Sequence, residues 1–158
     1  MHCFTIQRLI RACLLAGAAL VLVPAANAQT LTFSVTQSSI AFADADPDTT
    51  PSLTASNVTV SYRVTGNAGG NWRITIISGT DLTSGSATIP ISSVTWTATP
   101  VPPFQAGTMS TAVAQTMASG AGNVNPAATG TVVFKLANNW SSNVGTYSAT
   151  FTFTLSAP

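Results

Sequence analysis

The segment from Tyr147 to Leu155 alternates strictly between two kinds of side chain. Its odd-numbered positions are apolar, three of them aromatic, and its even-numbered positions are serine or threonine. A period of two is typical of a β-strand with one buried and one solvent-facing side. Because each aromatic ring removes roughly 150–250 Å² from water when it is covered, this strand needs a second layer to pack against.

The same alternation recurs earlier in the chain, between segments rich in turn residues. Further strands are predicted at 31–35, 57–65, 72–76, 94–98 and 131–137, with a weaker one at 109–117. Gly66 to Asn71 is predicted to be a hairpin loop, and Gly120 to Gly130 a flexible connection. We therefore predict an all-β fold, an antiparallel immunoglobulin-like or Greek-key β-sandwich of about seven to nine strands.

Residues 1–28 have the pattern of a secretory signal peptide. Arg8 and Arg11 precede an apolar run from Leu14 to Val23, and a small-x-small cleavage site ends at Ala28. The apolar run has ten residues, about half of what a membrane-spanning helix needs. We expect a single secreted domain, residues 29–158, which does not insert into a membrane after signal cleavage.

Removal of the signal peptide would leave little reactive chemistry. Both cysteines, Cys3 and Cys13, and the only histidine, His2, precede residue 29. Three cationic and four carboxylate side chains remain in residues 29–158. With no histidine as a base and three of the carboxylates in one loop, neither a hydrolytic triad nor a glycosidase pair is expected, and we predict no enzyme. Nucleic-acid binding is not expected, because it requires a basic stripe.

The predicted surface is hydroxylated rather than charged. Serine and threonine account for 41 of the 130 residues after position 28. Such a surface suits a protein that sits in a cell wall or assembles with its own copies, since few charges protect its strand edges from pairing. The composition fits a neutral exported β-domain with another partner equally well.

One loop carries a weak metal motif. Asp44, Asp46 and Asp48 alternate, and carboxylates at this spacing can surround calcium. Pro47 stiffens the loop, and neither the glycine nor the glutamate of a calcium-binding loop is in place. The alternative is an acidic turn closed by Asx-type hydrogen bonds. No other cofactor is expected.

Three tryptophans are candidates for an aromatic platform that binds sugar rings. Trp72 and Trp96 lie on the inward parity of their strands, which favours a place in the core. Trp140 lies in a polar loop and is the better candidate for a surface contact.

The end of the chain resembles the closing motif of the WxL domains of bacterial cell-surface proteins. The segment from Tyr147 to Pro158 is similar to the family's Tyr-x-Ala-x-x-x-Trp-x-Leu, and Trp72-Arg-Ile74 resembles its earlier Trp-x-Leu. Ile74 replaces a leucine, and Phe153 replaces the second tryptophan. The resemblance implies a cell-surface β-sandwich that attaches non-covalently to peptidoglycan or another surface polymer. Its ligand-binding candidates are Trp72, Ile74, Phe153 and Leu155, together with Trp140.

The composition supports a second hypothesis, a structural subunit of a fimbria-like filament or coat. Leu31, Phe33 and Val35 alternate with polar residues directly after the predicted cleavage site. Such a strand can add to the sheet of a neighbouring copy. The sequence alone leaves both hypotheses open.

Overall fold

The computed structural model describes residues 28–37, 40–43, 45–142 and 145–158. Within these ranges the regular secondary structure is almost entirely β, which confirms the predicted all-β sandwich, with eleven strands instead of the predicted seven to nine. The predicted signal peptide lies outside the described residues except for Ala28. The strands are β1 (Thr30–Val35), β2 (Ser52–Thr54), β3 (Val58–Thr65), β4 (Asn71–Ser78), β5 (Leu82–Ser84), β6 (Ala87–Ile89), β7 (Val94–Thr99), β8 (Gly107–Thr108), β9 (Gln115–Ala121), β10 (Val124–Ala137) and β11 (Phe151–Ser156).

These strands form two facing antiparallel sheets and a small hairpin. The larger sheet has the order β1-β3-β10-β7-β8, and β2 pairs with the end of β10. The smaller sheet has the order β11-β4-β9, and β5 pairs with β6. A short 3₁₀ helix, Ile91–Ser93, precedes β7. The described part of the chain has no helix that is long and apolar enough to span a membrane.

The predicted hairpin at Gly66 to Asn71 is wrong in one respect. β3 and β4 follow each other in the chain but belong to opposite sheets, so the loop arches across the sandwich. This places Tyr62 opposite Trp72, with ring centroids 4.9 Å apart. Both strands have a strongly apolar inner face, and facing each other buries both sets of side chains in one core.

The predicted flexible connection at Gly120 to Gly130 is also wrong. β9 extends to Ala121 and β10 begins at Val124, so most of this segment is strand. β10 has an irregularity between Val124 and Ala128, where its register with β3 shifts. Because this segment consists mostly of small residues, it shows little alternation of apolar and polar side chains. Its strand conformation is set by hydrogen bonding of its backbone groups.

The two long sides of the sandwich differ. On one side the Pro-rich loop between β7 and β8 joins the sheets: the backbone N–H of Gln105 donates to Met117 O (2.8 Å), and Phe104 forms a bridge with Ala118. The side chain of Phe104 is buried there. On the other side, the edge strands β1 and β11 face each other, and the apolar side chains of their inner faces are only partly buried.

Candidate functional site

The side of the sandwich between β1 and β11 is termed the open edge. β1 is the first strand of its sheet and pairs with β3 over six residues, from Thr30 opposite Thr65 to Val35 opposite Val60. Leu31 is 39% exposed, and Phe33 and Val35 are half-buried. The three predicted strand-addition residues therefore lie on an edge strand and are only partly covered.

β11 forms the opposite rim of the open edge. The ring centroids of Phe33 and Phe153 are 6.4 Å apart across the gap between the sheets. Phe153 and Leu155 are on the inner face, as the alternation predicts, but both are only half-buried. They remain partly exposed because β11 is an edge strand of a sheet with three strands, facing a sheet with five strands in line.

The two segments that resemble the WxL motif lie side by side in the smaller sheet. Leu155 is the cross-strand partner of Ile74, and Phe153 pairs with Ile76. Trp72 and Ile74 are buried, with 4% and 0% of their surface exposed. The prediction that Trp72 and Trp96 belong to the core is confirmed. In this fold the side chains of Trp72 and Ile74 do not reach the surface.

The indole N–H of Trp72 is buried and has no hydrogen-bond acceptor among the described residues. Trp72 lies on β4, which pairs with β9. A groove of about 580 Å³ lies beside these two strands, and its lining includes the exposed polar side chains of Asn71, Arg73 and Ser119. The indole N–H itself is fully covered, so it is not available to a molecule in the groove.

Two loops that are distant in sequence form a second surface feature, termed the paired loops: residues 45–51 and 138–142. The side-chain amide of Asn138 donates to Ala45 O (2.9 Å) and to Thr50 O (3.0 Å). Its backbone N–H donates to Pro51 O (2.9 Å). One asparagine thus holds the two loops together at the end of β10.

Trp140 projects from the paired loops. It is 70% exposed, and its indole N–H donates to Asp48 Oδ1 at 3.0 Å. Asn139 Oδ1 accepts hydrogen bonds from the backbone N–H and the hydroxyl of Ser141. The result is an exposed aromatic ring with one edge tied to a carboxylate and polar groups on both sides of it in sequence.

The acidic loop shows the Asx-type turn that is the alternative to a calcium site. Asp46 Oδ1 accepts a hydrogen bond from the backbone N–H of Asp48 (2.9 Å), and Asp46 O accepts from Thr49 and Thr50. Asp44, the third predicted ligand, lies outside the described residues. Among the side chains that the structure describes, no three metal-ligating groups come together.

Sequence reasoning identified Trp140 but not its partner. Asp48 precedes Trp140 by 92 residues, and no local pattern relates them. No protein-family model matches this chain, and a search of the curated proteins finds no match either.

Proposed function

We propose that this protein is an exported, non-enzymatic structural subunit that assembles by strand addition. In the assembly, β1 of one copy takes the place of β1 beside β3 of the next copy. The observation that carries this proposal is the state of β1, an edge strand with one partner strand and three incompletely buried apolar side chains.

The exchange conserves the contacts of β1. A β1 from a neighbour can form the same six residue pairs with β3 and the same contact between Phe33 and Phe153. The intramolecular and exchanged forms then differ little in contact energy, and chain connectivity and protein concentration select between them. Because the exchange is head-to-tail, repetition without closure gives a filament.

The chain between β1 and β2 is long enough for the exchange. Residues 45–51 belong to the paired loops, so the linker available for the exchange is residues 36–44. A fully extended segment of this length spans about 30 Å. β1 can therefore leave its own sheet without disturbing β3, whose other neighbour is β10.

Cysteine cross-linking tests the exchange directly. Ser34 and Ser61 are direct cross-strand partners, and cysteines at opposed antiparallel positions lie within disulfide distance. We would prepare residues 29–158 as two single variants, Ser34→Cys and Ser61→Cys, and mix them under oxidising conditions. One variant is labelled with a heavy nitrogen isotope, so the expected disulfide-linked heterodimer has a mass between those of the two homodimers; only β1 of one copy beside β3 of another brings the two cysteines together.

The matched control replaces Ser61→Cys by Ser119→Cys, an exposed position on β9 in the other sheet. This mixture should give no more heterodimer than random collision. The double variant Ser34→Cys/Ser61→Cys, oxidised as a monomer, should lock β1 in its own sheet and prevent assembly. Assembly that persists in the locked variant would refute strand addition.

Attachment to peptidoglycan or another cell-surface polymer is the second candidate function. The resemblance to WxL domains motivates it, and the exposure of Trp140 favours it. Trp72 and Ile74 are buried, so we assign any such attachment to Trp140 rather than to them. Sedimentation with peptidoglycan sacculi tests it: residues 29–158 should pellet with the sacculi, and Trp140→Ala should stay in solution. Equal pelleting of both forms would argue against the assignment.

A further inference from the structure

We propose that Trp140 and Asp48 form a carbohydrate platform that binds uncharged pyranose units of a glycan. The inference deepens the second candidate function and does not depend on strand addition. It stands on the geometry of the paired loops, in which an aromatic ring is both exposed and held in place.

Trp140 is held in one orientation by its contact with Asp48. A tryptophan with 70% of its surface exposed loses conformational freedom when a ligand binds, and that loss weakens binding. Here the hydrogen bond from its indole N–H to Asp48 Oδ1 (3.0 Å) fixes one edge of the ring before any ligand arrives. Asp48 in turn lies in the turn that Asp46 closes. The free ring is therefore preorganised.

An exposed indole ring with polar groups close to it in the structure or the sequence suits a sugar as its ligand. The face of an aromatic ring carries partial negative charge and attracts the C–H groups on one face of a pyranose ring. Hydroxyl groups at the rim of such a sugar need polar partners, which fix its orientation. Asp48 supplies a carboxylate at the edge of the Trp140 ring, and Asn139 and Ser141, its neighbours in sequence, supply an amide and a hydroxyl. A protein partner would more commonly meet a cluster of apolar anchors.

The charge beside Trp140 disfavours anionic sugars. The Asp48 carboxylate lies at the edge of the ring, so a uronic acid or sugar phosphate would meet like charge there. The cations of residues 29–158 are Arg63, Arg73 and Lys135, on β3, β4 and β10 rather than in the paired loops. The platform therefore suits neutral hexoses and N-acetylhexosamines such as N-acetylglucosamine, which is the unit of chitin and every second sugar of a peptidoglycan glycan strand.

Binding is measured with chitin oligosaccharides as the probe. Of the three tryptophans, Trp72 and Trp96 are buried, so quenching by acrylamide reports mainly on Trp140. We expect the oligosaccharide to protect Trp140 from quenching. Because Trp140→Ala lacks this reporter, affinities are compared by titration calorimetry, and the variant should bind at least about tenfold more weakly. Val113→Ala is the matched control, because Val113 is 61% exposed on another loop. Equal affinity of Trp140→Ala and the parent protein, or no binding of the parent to chitin oligosaccharides, would overturn the proposal.

Two variants test the positioning role of Asp48. Asp48→Ala removes the acceptor, so it should weaken binding and lower the fluorescence anisotropy of Trp140. Asp48→Asn keeps an oxygen acceptor and should restore both. It should also admit oligogalacturonate, an anionic glycan that the parent protein rejects. Failure of Asp48→Asn to restore the anisotropy would contradict the role of the hydrogen bond. The cross-link between positions 34 and 61 is a separate measurement. Absence of glycan binding therefore does not argue against strand addition, and absence of the cross-link does not argue against the carbohydrate platform.

Discussion

Gly107, Gly120 and Gly130 each lie against an aromatic ring of the core. A Cβ added at these positions would collide with Trp96, Trp72 and Phe104, respectively. The missing side chains make room for the largest rings in the sandwich. The glycines therefore allow the aromatic rings to pack. Because glycine occupies these positions, the sequence around residue 120 shows only a weak apolar pattern.

Gly120→Ala tests this relation. The new Cβ would lie 2.5 Å from Cζ2 of Trp72, in a core where the ring has little space to move. We expect unfolding in urea to show a loss of about 1–3 kcal/mol. The control is Gly79→Ala, whose Cβ would have its nearest neighbour, Thr150 O, at 3.9 Å. Equal stability of the two variants would contradict the packing argument.

Tyr62 predicts a pH dependence. Burial raises the pKa of Tyr62 above its ordinary value of 10.0, so the folded state binds this proton more tightly than the unfolded state. The resulting stabilisation is complete below pH ~10 and is lost as the pH rises through the raised pKa. The difference in free energy of unfolding between the parent and Tyr62→Phe should thus be constant at neutral pH and fall above pH ~10. A difference in free energy of unfolding between the parent and Tyr62→Phe that stays constant up to pH ~11 would contradict this expectation.

At the scale of elements, the sequence predicted the strands whose apolar faces are complete. β3, β7 and β11 alternate over six or more residues, and each was found within a few residues of its predicted position. The sequence did not reveal β2, β5 or β6, because three residues are too few to show a period. Nor did the sequence reveal which strands pair. The same alternation of apolar and polar residues occurs in strands joined by a hairpin and in strands joined by an arch between two sheets.

The same limit applies to the candidate sites. Phe153 and Leu155 were predicted to face inward, but whether that face is covered depends on the number of strands in the opposite sheet. Trp140 was recognised from its polar surroundings in the sequence. The hydrogen bond between Trp140 and Asp48 could not be recognised in this way. The two residues are 92 positions apart, and they meet only because the end of β10 lies against the acidic loop.

Asn67 joins two arches at one end of the sandwich. It is buried, and its side-chain amide donates to Gly70 O (3.0 Å) in its own loop and to Gly122 O (3.4 Å) between β9 and β10. Its backbone N–H donates to Asn123 Oδ1 (2.8 Å). Each arch thus stabilises the other.

Asn67→Ala removes the side-chain bonds and leaves the partly buried carbonyl groups of Gly70 and Gly122 without this donor. We expect the free energy of unfolding to fall by about 1–3 kcal/mol. Asn71→Ala, four residues later with an exposed side chain, should change it by less than about 0.5 kcal/mol. Urea unfolding of both variants measures the difference. If both cost the same, Asn67 does not hold the arches together.

At the scale of the whole molecule, the charge-poor surface predicts that assembly is insensitive to salt. Residues 29–158 carry three cations and four carboxylates, and the proposed contact consists of the β1–β3 backbone ladder and apolar side chains at the open edge. Screening by salt weakens interactions between exposed charges but not these. The yield of the Ser34–Ser61 heterodimer should therefore change less than about twofold between about 20 and about 500 mM sodium chloride. A steep fall with salt would mean that charged surfaces bring the copies together, and strand addition would then not be the source of assembly.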